Sequence, residues 1–77
     1  MNFSEFVRSK GITQTELADA MGLCRGAVSK WATGEVFPLP ESINNICKGF
    51  AAYGITVTYD EAFQALLQTK REKQEEK

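Results

Sequence analysis

The chain has 77 residues, 43% of them hydrophobic and 25% charged, with a formal net charge of −1. These totals point to one globular domain near the lower size limit for a self-sufficient core, and the charge excludes a strong overall field for a polyanionic partner. With no histidine and only two cysteines, Cys24 and Cys47, a tetrahedral zinc site would lack ligands, and neither a metal nor another cofactor is expected.

In "NFSEFVRSKG" the residues Phe3, Phe6 and Val7 fall at helical spacing, which predicts a first helix over about 3–10. Thr13 followed by Glu16 forms a capping-box pattern that opens a second helix, about 14–21, stopped by Gly22. A third runs over about 25–33 and ends at Gly34; a fourth, about 41–52, follows the loop "EVFPLP" with Pro40 in its first turn. After Gly54 the alternating, β-branched "ITVTY" predicts a short strand. Thr58 and Glu61 repeat the capping-box pattern before "EAFQALLQTK", a terminal helix with Ala62, Phe63, Leu66 and Leu67 as its apolar stripe. From about Arg71 the chain has nothing to bury and is expected to fray. The organisation is thus a core over 1–54, a strand plus helix over 55–70 that serves as dimerisation element, and a charged tail over 71–77, all in a single domain. No apolar run nears the roughly 20 residues of a membrane span. Nothing in "MNFSEFVRSK" resembles a signal peptide. A cytoplasmic protein with reduced thiols is expected.

The stretch "QTELADAMGLCRGAVSKW", Gln14 to Trp31, raises the functional question. It holds two helices too short to stand alone in water, joined by three or four residues. Two such helices crossing steeply form a helix-turn-helix. The crossing needs a small residue at the contact, which Ala18 supplies, and a glycine in the turn, which is Gly22. Leu17, Met21, Leu23, Val28 and Trp31 are expected to face the rest of the domain. A helix laid in the major groove presents its first residues and one outward face to the base edges. For the third helix those are Cys24, Arg25, Gly26, Ser29 and Lys30.

Residues 14–33, "QTELADAMGLCRGAVSKWAT", with the flanking "GITQ" and "WATGEVFP", resemble the helix-turn-helix of phage repressor and Cro-type transcriptional regulators. The likeness covers about residues 3–52. It implies a lambda-repressor-like, mainly α fold, usually of five helices with the second and third forming the motif. Here about four helices, a short strand and a C-terminal helix are expected, as in Cro-like members that end in β structure. The matching positions for DNA-base contact are Cys24, Arg25, Gly26 and Lys30. Arg25 is the strongest, because a guanidinium can bond O6 and N7 of one guanine. Gln14 matches the residue that holds the DNA backbone at the start of the second helix; Thr15, Ser29 and Thr33 are further backbone candidates.

The implied function is a sequence-specific, double-stranded DNA-binding repressor with an operator as its partner. One recognition helix reads too few base pairs to select a site alone, so a homodimer is expected. Its joint is expected at Ile55, Val57, Tyr59, Phe63, Leu66 and Leu67, through pairing of the exposed strand. The alternative is an antitoxin-type module whose C-terminal helix neutralises a toxin or other protein partner and which regulates its own operon. Catalysis is not expected: no phosphate loop and no paired carboxylates with a cleft are present.

Overall fold

A computed structural model describes residues 1–75. They form five helices: α1 (Phe3–Ser9), α2 (Gln14–Met21), α3 (Arg25–Thr33), α4 (Pro40–Ala51) and α5 (Tyr59–Glu75). Among the described residues there is no strand. Nor is any of these helices long and apolar enough to cross a membrane.

Local chemistry starts the helices. The Thr13 hydroxyl accepts from the Glu16 N–H (3.1 Å) while the Glu16 carboxylate accepts from the Thr13 N–H (2.9 Å). Thr58 and Glu61 build the same box at the head of α5. Asn2 and Glu5 form a third, at α1. Each cap contributes about 0.5–2 kcal/mol. Between α2 and α3, Gly22 adopts φ +72°, and the Leu23 N–H reaches back to the Ala18 carbonyl at 2.9 Å. That closes α2 in a left-handed turn that other residues adopt only with strain. Leu23 itself departs from the expectation that it faces the domain. It lies just past the glycine, is carried outward and is 41% exposed.

One core joins all five helices. Phe3, Phe6 and Val7 from α1 meet Leu17 and Ala18, Val28 and Trp31, Ile43, Ile46 and Phe50, and Ala62, Ala65 and Leu66. The Phe6 and Phe50 rings pack edge to face, with centroids 5.7 Å apart. Gly49 lets α4 press onto α2: a Cβ there would stand 2.9 Å from both Leu17 Cδ1 and Met21 Cγ. Both cysteines are free, Cys24 exposed and Cys47 half-buried, and burial pushes the Cys47 thiol up, so it stays protonated near neutrality.

Two expectations for the C-terminal third are corrected. "ITVTY" is not a strand. Ile55 is half-buried, Thr56 exposed, Val57 buried and Thr58 exposed, so the alternation is a real alternation of burial. It belongs to a connector from α4 to the Thr58 cap, because the described residues hold no second strand to pair with it. Of the expected dimer residues, Val57 and Leu66 are buried in their own chain, Ile55, Phe63 and Leu67 are half-buried, and Tyr59 is exposed. The helix also continues past Arg71 to Glu75; the last two residues of the expected tail lie outside the described residues.

What holds this extension is the start of the chain. The buried Thr69 hydroxyl accepts from the Phe3 N–H (2.7 Å) and donates to the Ala65 carbonyl (3.0 Å). One turn on, Glu72 accepts from the Asn2 amide at 2.9 Å and from the Gln68 amide at 3.2 Å. The Asn2 bond, then the Gln68 bond, hold the Glu72 carboxyl below its usual range.

Candidate nucleic-acid interface

Residues from the N-terminal turns of both α2 and α3 line one cleft, and each turn has backbone donors that the helix itself does not use. In a capped helix the N–H groups of the first two residues have no acceptor within the helix; in α2 these belong to Gln14 and Thr15. At α3 the N-cap is Cys24, whose side chain makes no cap hydrogen bond. The α3 first turn therefore lacks a contribution that Ser, Thr, Asp or Asn would supply, and the positive end of the helix dipole lies at this turn.

Side chains gather at the same place. A cleft of about 310 Å³ is lined by Ser4, Val7 and Arg8 of α1, Gln14 and Thr15 of α2, and Arg25 and Ser29 of α3. Two guanidiniums, three hydroxyls and one amide surround it, and no carboxylate is among its lining residues. The Gln14 amide donates to the Ser4 hydroxyl at 3.3 Å, which ties the head of α2 to α1.

Beyond the cleft, α3 turns one face to solvent. At about 100° per residue, Arg25, Gly26, Ser29, Lys30 and Thr33 fall within an arc of about 140°. Four of these five are exposed and Ser29 is half-buried. Val28 and Trp31 lie on the opposite side, buried in the core as their spacing predicts. Gly26 has open space beside it: a Cβ would meet only Cys24 Sγ, at 3.9 Å. The Thr33 hydroxyl donates to the Lys30 carbonyl at 3.2 Å, so its proton is already engaged.

Of the eight residues expected at DNA, Gln14, Thr15, Arg25 and Ser29 line the cleft, Gly26, Lys30 and Thr33 extend along the exposed side of α3, and Cys24 is the exposed N-cap before it. Sequence reasoning missed Ser4 and Arg8. Their spacing of four puts them on one face of α1, a readable signal, but nothing local says that this face meets the head of α2. No protein-family model, curated protein or solved structure matches the chain.

Proposed function

We propose that the protein is a sequence-specific, double-stranded DNA-binding transcriptional regulator. It is a Cro-like, cytoplasmic repressor that lays α3 in the major groove and acts as a homodimer. The observation that carries this reading is the carboxylate-free cleft where Arg8, Arg25 and the open head of α2 converge, continuous with the exposed side of α3. A phosphate accepts hydrogen bonds from guanidiniums, hydroxyls and helix N-termini, so the cleft fits the DNA backbone through Arg8, Gln14, Thr15 and Ser29. With the backbone there, the first turn of α3 faces the base edges. Arg25 stands where the two regions join and bonds a guanine, with Lys30 one turn further on. The five-helix order, with the paired short helices second and third, is the arrangement that the resemblance of residues 14–33 implies, and it supports the same reading.

Binding rests on a few placed cations, so selectivity has to come from base contacts. Selection from a library of random duplexes should enrich one sequence arranged as an inverted repeat. Arg25→Ala should lose about 1–3 kcal/mol of discrimination at one guanine of each half-site while the fold is retained. If no sequence is enriched, or if the variant selects the same site as tightly, the reading fails.

A further inference from the structure

A second cleft lies at the other end of α3. It encloses about 320 Å³ between Ala32 and Thr33 of α3 and Thr69, Glu72 and Lys73 of α5. At about 100° per residue, Ala32 and Thr33 flank the direction taken by Arg25 and Ser29, so the two clefts open along one side of α3. Thr33 stands about 12 Å beyond Arg25 along the axis, at 1.5 Å per residue. Lys73 is built into this second cleft. A Cβ on Gly34 would stand 3.2 Å from both Cβ and Cδ of Lys73 and 3.3 Å from the Thr69 carbonyl. The glycine thus serves twice, as the left-handed C-cap of α3 and as the bare backbone on which α5 closes. Lys73 is nevertheless exposed: its stem packs on the end of α3, and the ammonium just past that contact stays in solvent.

We propose that Lys73 holds the phosphate backbone of DNA at the tail of α3, so that α5, as well as α1 and α2, grips the duplex. The proposal rests on the DNA-binding reading above. The major groove is about 12 Å wide, which matches the span from Arg25 to Thr33, so a duplex seated on the first cleft passes the second. The neighbouring groups leave the charge to Lys73. Residues 34–39 hold no lysine or arginine and one carboxylate, Glu35. The Thr33 hydroxyl proton goes to the Lys30 carbonyl, and the Lys70 ammonium sits over the Phe37 ring, 5.6 Å from its centroid. Glu72 lines the cleft, but both its carboxylate oxygens accept amide hydrogen bonds, from Asn2 and Gln68. The carbonyl end of a helix repels a phosphate. An ammonium fixed there offsets that end and Glu35, and gives the backbone a partner.

Fluorescence anisotropy of the full chain with a labelled duplex of the selected sequence, over a salt series, tests this. In Lys73→Gln the slope of log affinity against log salt should fall by about 0.9 for each bound copy, with the same sequence still selected. Lys73→Met, which keeps the whole apolar stem on Gly34, should behave alike, and Lys73→Arg should keep the wild-type slope. Circular dichroism checks that each variant folds. Ethylation interference should lose, in Lys73→Gln, a phosphate that Arg8→Gln retains. A wild-type slope in both uncharged variants overturns the proposal and leaves Lys73 to offset the helix dipoles alone, seen as a lower denaturation midpoint with unchanged DNA binding. A change in the selected sequence also overturns it, since a phosphate contact carries no sequence information. If the wild type enriches no duplex, the DNA-binding reading fails and the proposal with it; if the wild type binds and only the Lys73 variants show no effect, the proposal alone fails.

Discussion

Gly26 stands at the second position of α3, where most residues would serve a helix better. Its backbone needs no left-handed conformation, and a Cβ there meets open space. Gly26→Ala should therefore raise stability by about 0.4–1 kcal/mol by restricting the unfolded chain, read as a higher midpoint in urea. The same methyl group projects from the exposed side of α3, between Arg25 and Lys30. Affinity for a selected duplex should fall even as stability rises. A variant that binds as well as the wild type would show that DNA does not approach this backbone closely. At this scale the sequence was informative: Thr13, Gly22 and Trp31 act through neighbours a turn or two away, and their roles could be read directly. Arg8 could not be placed, because its importance comes from a helix that meets α1 only in the folded chain. Gly49 escaped for the same reason, since its closeness to Leu17 and Met21 is a property of two packed helices.

α5 shows at the level of elements where local reading stops. Its start at Thr58 is a capping box and was legible; its extent was not, because the bonds that extend it join residues 66 and 70 positions apart. The strand expectation failed for a related reason, since alternating burial describes a chain segment and a strand needs a partner. The α1–α5 junction gives a pH dependence. The Glu72 carboxyl lies below its usual range in the folded chain through the Asn2 and Gln68 amides, and that of Glu61 is likewise lowered by the Thr58 N–H and hydroxyl. A lowered folded value means that the unfolded chain takes up protons first. The stabilisation is complete above the ordinary glutamate value of about 4.3 and is lost as pH falls through the folded value. Denaturant midpoints should thus decline as pH drops below about 4.3, and Glu72→Gln should flatten part of that decline. An unchanged acid limb in the variant would mean that the Asn2–Glu72 contact does not persist in solution.

In the whole molecule, the packing of five short helices on one core turns two otherwise unstable helices into a rigid presentation of α3. Neither α2 nor α3 is long enough to persist alone; the core beneath Leu17, Val28 and Trp31 holds them. The proposed reading divides the surface by role, with the cleft and the exposed side of α3 turned to nucleic acid. Chemical-shift mapping of the isotope-labelled chain, titrated with the duplex enriched by selection, tests this division most directly. The account predicts that amide shifts concentrate at Ser4, Arg8, Gln14, Thr15 and across residues 24–33, with Ile43 and Ile46 in the core little changed. Shifts confined to α5, or none at a duplex concentration that saturates the selected complex, would contradict it.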